Sequence, residues 1–172
     1  MVIGFGECIR MMNILDKTLV PYKNIQIKNC REIQFSHGGQ YFACQNASNI
    51  SVFKFYSGES PSEFYFKGHN NFIKSISWLE DDTGFVTCGW DASIFYWKLY
   101  PDKTNDDQNT NSLESKQGMP VWEYKQKNNT FSSVAIFKGE GELEPVVYTT
   151  GNDRFIKEIT STGAKSGENR IT

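Results

Sequence analysis

The residues of this sequence best suited to chemistry are His69, Thr87 and Asp91. A carboxylate that orients an imidazole, with the imidazole drawing a proton from a hydroxyl, is a way to activate a weak nucleophile, so the three admit a His-Asp relay beside Thr87. Other candidates carry less. Glu80, Asp81 and Asp82 stand together and supply the oxygen ligands that a hard divalent cation takes, yet between two strands the same run forms a solvated turn. Cys8, Cys30, Cys44 and Cys88 never form a CxxC pair, and neither His37 nor His69 sits at a ligand spacing from them, so the sequence points to no zinc site and to no other metal. Gly38-Gly39 and Gly4-Phe5-Gly6 are turn glycines, because no strand, glycine-rich turn and amphipathic helix follow one another as a dinucleotide site requires. No cofactor is expected.

What would position these side chains is a repeat. Cys30 to Phe35, the turn from His37 to Gln40, Tyr41 to Cys44, a polar turn ending at Asn49, and Ile50 to Phe55 form one unit. The same order returns from Phe72 to Trp78, through Glu80 to Gly84, Phe85 to Cys88, Gly89 to Ser93, and Ile94 to Leu99. Ile33 and Ile76 are matched positions 43 residues apart. A third copy follows a longer gap, with Thr130 to Phe137, Pro145 to Thr149, the turn Gly151-Asn152-Asp153, and Arg154 to Ile159. In each copy, short stretches of Val, Ile, Phe and Tyr are separated by Gly, Asn, Asp and Ser, which reads as a meander of antiparallel strands. Val2 to Phe5 and Cys8 to Leu15 add two strands ahead of the first full copy.

The chain therefore divides into strands of a preceding unit over 1–27, units at 28–66, 67–100 and 119–160, an insert at 101–118, and a tail at 161–172. The insert is rich in Asp, Asn, Gln and Ser, and has too little apolar surface to offset the cost of ordering its backbone, so it is expected to be a disordered loop.

The middle copy resembles the WD-repeat family through Gly68-His69 before its first strand, Thr87 in the second, Asp91 in the following turn and Trp97 in the third. A period in the range of roughly 40–45 residues fits that family. The resemblance implies an all-β fold, a partial WD-type β-propeller of about three four-stranded antiparallel blades. It also implies that His69, Thr87, Asp91 and Trp97 hydrogen-bond as a structural tetrad, which suits a buried imidazole, hydroxyl and indole that each need a partner. On that reading the catalytic set is empty. Lys98 stands where the family most often has Asp, and the outer copies depart further: the first offers Phe55 for the Trp and Asn49 near the turn, and the third keeps Asp153 but ends in Glu158-Ile159. Those units are expected to rest more on apolar packing of Phe35, Phe42, Val52, Ile136 and Ile156 than on a polar network. Phe64, Tyr65, Phe66 and Trp122 are expected to pack on outer strands.

Charge and composition narrow the partners. With 18 Lys and Arg against 20 Asp and Glu, the net charge of −2 gives no single-sign field for nucleic acid or for an anionic membrane. No basic leader precedes an apolar run and no stretch of eighteen apolar residues occurs, so reduced thiols in a cytosolic compartment are expected, with the triplets at Asn46, Asn49 and Asn128 chance matches to a glycosylation signal. Propellers close with typically 4–8 blades, so the remaining blades are expected from a longer or a companion chain.

Beyond the generic repeat, Cys30-Arg31-Glu32, Lys67 to Asn70, Ile73 to Ile76 and Ile156 to Ile159 resemble the ciliary members of the WD-repeat family. That finer resemblance implies a non-catalytic scaffold of the motile axoneme that helps to anchor or regulate inner dynein arms on doublet microtubules, with radial spoke or regulatory complex components as further partners. A generic WD adaptor in a cytoplasmic complex is the competing expectation, since one fold hosts many functions.

Overall fold

A computed structural model describes residues 1–59, 65–100, 118–139, 141–161, 163–164 and 169–170. All regular structure among them is β. The first sheet has three strands, β1 (Val2–Gly4), β2 (Ile9–Leu15) and β3 (Thr18–Ile25), in that order. The second holds β4 (Ile33–Phe35), β5 (Tyr41–Asn46), β6 (Asn49–Lys54) and β7 (Tyr65–Lys67). The third holds β8 (Ile73–Trp78), β9 (Gly84–Gly89), β10 (Ser93–Lys98) and β11 (Trp122–Lys125). The fourth runs β12 (Phe131–Phe137), β13 (Val146–Gly151), β14 (Phe155–Thr160) and β15 (Gly163–Ala164), with β16 (Asn169–Arg170) also paired to β14. Every pairing is antiparallel.

Successive sheets stack face to face, because alternate side chains of a strand leave on opposite faces. Phe42 and Cys44 of β5 turn toward the first sheet and pack with Ile9, Met11, Ile27 and Phe53. Ala43, between them, joins Val52, Phe66, Trp78, Phe85 and Trp97 in the next layer. Val86, Cys88, Ile94 and Tyr96 form the third layer with Phe131, Val134, Ile136, Val147 and Ile159. Burial follows from this stacking. β9 has a sheet on both faces and is buried at every residue, whereas β12 alternates because its second face meets no further sheet among the described residues.

Several expectations change. Trp122–Lys125 completes the third sheet, with Tyr96↔Trp122 and Ser93↔Lys125 in register, so the unit placed at 119–160 begins instead at Phe131. The reason is that an outer strand bonds to its sheet across the insert, however long the insert is. β3 was not foreseen: Pro21 lies within it and is tolerated because β3 is an edge strand, beside the register shift at Met11 and Met12. Part of the tail supplies β15 and β16. Ile156 is 40% exposed, since on β14 it is Lys157 and Ile159 that face inward; Phe35, Phe42, Val52 and Ile136 do lie in or against the core. The Trp97 position in the second sheet belongs to Phe53, not Phe55, because Phe53 pairs Phe42 as Trp97 pairs Phe85. Phe66 is fully buried, while Tyr65 and Trp122 are half-buried. Phe64 and residues 101–117 of the insert lie outside the described residues.

Candidate functional site

The third sheet brings His69, Thr87, Asp91 and Trp97 together from four local structures. Thr87 lies mid-strand in β9 and Trp97 in β10, on the same face. Asp91 sits in the turn between them, which Ala92 closes with a φ of 62°. His69 arrives from the segment ahead of β8. Gly89 leaves room for it: a Cβ there would meet His69 Nδ1 at 2.9 Å and the Phe72 carbonyl oxygen at 2.9 Å.

The geometry defines one chain of hydrogen bonds. Trp97 Nε1–H donates to Thr87 Oγ1 at 2.8 Å, and Thr87 Oγ1 lies 2.8 Å from His69 Nε2. His69 Nδ1 lies 2.9 Å from one Asp91 oxygen and 3.0 Å from the other. A proton on Nδ1 satisfies the carboxylate, leaving Nε2 to accept from the Thr87 hydroxyl, so each atom has a role in the neutral imidazole. Asp91 also accepts from the backbone N–H of Asn70 at 2.8 Å and of Ser93 at 3.2 Å. Burial pushes the Asp91 carboxyl up, but the His69 bond and these two N–H donors outweigh it and hold the group below the usual carboxylate range. Thr87 and Trp97 are fully buried, and His69 is packed edge-on against Phe95.

The acidic run proves to be more than a solvated turn. Asp82 reaches back to the second sheet, accepting from the N–H of His37 at 2.7 Å and of Gly38 at 2.8 Å. Asp81 caps its own turn through Thr83. Glu80 and Asp81 are exposed to solvent, as expected of a solvated turn. Among the described residues no three His, Cys, Asp or Glu side chains are grouped to hold a metal ion.

The WD domain, G-beta repeat family pattern matches residues 60–98, the span that carries all four tetrad residues. Among solved structures, the Cps50 (Swd1) β-propeller domain of Myceliophteria thermophila aligns with a TM-score of 0.57 at 12% identity, over 85% of this chain and 41% of that one. The chain has the fold of a partial β-propeller, with a WD repeat over residues 60–98.

Its four sheets are blades or parts of blades, and the chain is similar to much longer proteins. Cilia- and flagella-associated protein 57 A of Tetrahymena thermophila is 35% identical over 97% of this chain and 12% of its own length. Cilia- and flagella-associated protein 57 C of the same organism is 42% identical over 58% of this chain and 8% of its own length. Cilia- and flagella-associated protein 57 of Mus musculus is 29% identical over 92% of this chain and 11% of its own length. The chain thus spans about an eighth or less of these curated relatives.

The neighbouring blades fill the tetrad positions differently. In the fourth blade, Asn129 stands before the first strand, Thr149 two residues before Gly151 and Asp153 two after it, just as Thr87 and Asp91 flank Gly89. Lys157, 3% exposed, enters this network by donating to Asp153 and Gln126, while Asn129 Nδ2 donates to Asp153 at 3.1 Å and to Gln126 at 3.2 Å. The expectation that this blade rests more on apolar packing than on a polar network does not cover this cluster: Asp153 takes the Asp91 position, Asn129 that of His69, and Lys157, which pairs Thr149 as Phe95 pairs Thr87, sets a cation beside the carboxylate. Asp153 was the sequence signal, but nothing marked Lys157 as buried. In the second blade Cys44 takes the Thr87 position, since Ile33 pairs Cys44 as Ile76 pairs Thr87. Its thiol donates to the Ser51 carbonyl at 3.4 Å and that of Cys30 to the Glu32 carbonyl at 3.2 Å; the neighbouring Cys30 thiol, together with burial, raises Cys44, while Cys30 is lowered.

Proposed function

We propose that this chain is part of a non-catalytic scaffold of the motile ciliary axoneme, where it helps to anchor or regulate inner dynein arms on doublet microtubules. The observation that supports the reading is the likeness to proteins named for cilia and flagella over nearly the whole chain. His69, Thr87, Asp91 and Trp97 then serve as blade wiring. Their hydrogen bonds run among themselves and to backbone N–H groups, and the Thr87 hydroxyl is enclosed, so a substrate carbonyl has no approach to it.

Remaining blades would come from a longer chain or a companion chain, covering the first and last sheets. A second reading, a generic WD adaptor in a cytoplasmic complex, draws on the 29% identity to WD repeat-containing protein 1 of Bos taurus over 59% of this chain. Tagging the protein in motile cells separates them. Signal along the axoneme, with inner dynein arm components recovered by affinity purification, supports the scaffold; diffuse staining and non-ciliary partners would leave the adaptor standing.

A further inference from the structure

We infer that Arg31, Phe72, Lys74 and Trp90 form a docking surface for an acidic peptide segment at the junction of the second and third blades. The four side chains make one continuous array. The Arg31 guanidinium lies over the Phe72 ring, 5.4 Å from its centroid, and the Lys74 ammonium over the Trp90 ring at 4.8 Å. The two rings meet edge to face with centroids 6.0 Å apart. Phe72 and Trp90 are 45% and 46% exposed and, meeting edge to face, make one exposed aromatic patch that neither the core nor the tetrad uses.

The backbone beneath this array is fixed. Trp90 N–H donates to the Phe72 carbonyl at 3.0 Å, which locks the two ring-bearing segments together. Arg31 N–H donates to Gln45 Oε1 at 3.4 Å, and Gln45 N–H to the Glu32 carbonyl at 2.9 Å, which hold the second-blade side. A rigid platform loses little conformational entropy when it binds.

Charge selects the occupant. Neither Arg31 nor Lys74 is in an ion pair with a carboxylate among the described residues. Two carboxylates lie nearby. Asp91 is committed to His69, Asn70 and Ser93. Glu32 is half-buried beside Lys74, with burial pushing its carboxyl up against the opposing pull of that lysine, so one carboxylate stands against two cations. Two cations on an exposed aromatic floor therefore suit a Glu- or Asp-rich strand, whose carboxylates meet Arg31 and Lys74 while its aliphatic stems lie on the rings. The overall net charge of −2 argues against a general polyanion site.

Fluorescence anisotropy of a labelled peptide of alternating Glu and Gly, titrated with the purified full chain, tests this. Binding is expected to exceed that of the matching Gln and Gly peptide at least about tenfold, and to weaken as salt screens the charges. The double variant R31Q/K74Q should lose that preference. Arg31 is exposed, so R31Q alone should keep the wild-type circular dichroism and still weaken binding several-fold. Equal affinity for the Glu and Gln peptides, wild-type affinity in R31Q, or equally tight binding of a single-stranded oligonucleotide of the same charge would each overturn the proposal.

Discussion

Asp82, in the β8–β9 turn of the third blade, holds the backbone N–H of Gly38, in the β4–β5 turn of the second, at 2.8 Å. Its other oxygen takes the His37 N–H, while His37 Nε2 lies 3.2 Å from the Trp78 carbonyl and Trp78 Nε1–H donates to the Gln34 carbonyl at 3.1 Å. Two blades are thus joined by directed polar contacts as well as by the apolar layer between them. Charge-assisted bonds of this kind to a part-exposed carboxylate contribute about 1–2 kcal/mol together. Asp82→Ala should lower stability by about that amount in urea unfolding. Asp82→Asn should lose less, because Asn retains one acceptor and tolerates the φ of 57° found here. An Ala variant with the wild-type midpoint would show that the apolar layer alone sets the junction.

Acid should unfasten the third blade through Asp91. Its folded-state carboxyl titrates below its unfolded value, so protons bind the unfolded chain first as pH falls. The stability it confers is therefore full above the ordinary aspartate pKa of about 3.9 and is lost as pH drops through the lower folded value. Comparing wild type with Asp91→Asn in urea at a series of pH values isolates the effect. The gap between them should narrow below about pH 4, and a gap constant down to about pH 2.5 would rule out the linkage.

The bond from Trp97 to Thr87 should reveal itself as coupling. Trp97→Phe removes an N–H donor from a fully buried site and leaves a void, costing about 2–4 kcal/mol; Thr87→Val strands both the indole N–H and His69 Nε2, costing about 2–3 kcal/mol. Since each substitution breaks the same bond, the double variant should cost less than the two combined, by about 1 kcal/mol or more. Strict additivity in thermal or denaturant unfolding would mean that the indole and the hydroxyl act independently.

How much of this was legible in the sequence depended on whether local pattern or distant pairing decided the outcome. Strands β4 to β6, β8 to β10 and β12 to β14 were readable, because their apolar residues fall between turn residues and the turns are short. The tetrad positions were readable for the same reason: the meander fixes which residues become neighbours. The sheet to which β11 belongs is not legible in local pattern, because its partner is β10, beyond an insert that carries no pairing signal. β3 was hidden by Pro21 and by its exposed, mixed composition. Lys157 reads as a surface residue in isolation, and only the stacking of the fourth blade on the third encloses it beside Asp153. Asp82 was hidden differently, since an acidic turn and an acidic clamp have the same sequence.

Thiol chemistry offers a last test of the stacking, because Cys44 and Cys88 lie deeper than Cys8 and Cys30. Cys44 and Cys88 are fully buried between blades; burial pushes Cys88 up to about 12, and the neighbouring Cys30 thiol with burial pushes Cys44 well up. Cys30 is 9% exposed and is shifted down beside the Cys44 thiol, so it carries more of the reactive thiolate. In the native chain at about pH 8, iodoacetamide should label Cys30 well before Cys44 or Cys88. Those two should become reactive together, at the denaturant concentration where the chain unfolds, because reaching either requires the blades to separate. Peptide mass mapping across a urea series distinguishes the cases. Labelling of Cys88 at low urea, ahead of the loss of β-sheet circular dichroism, would mean that the third and fourth blades part before the rest of the stack.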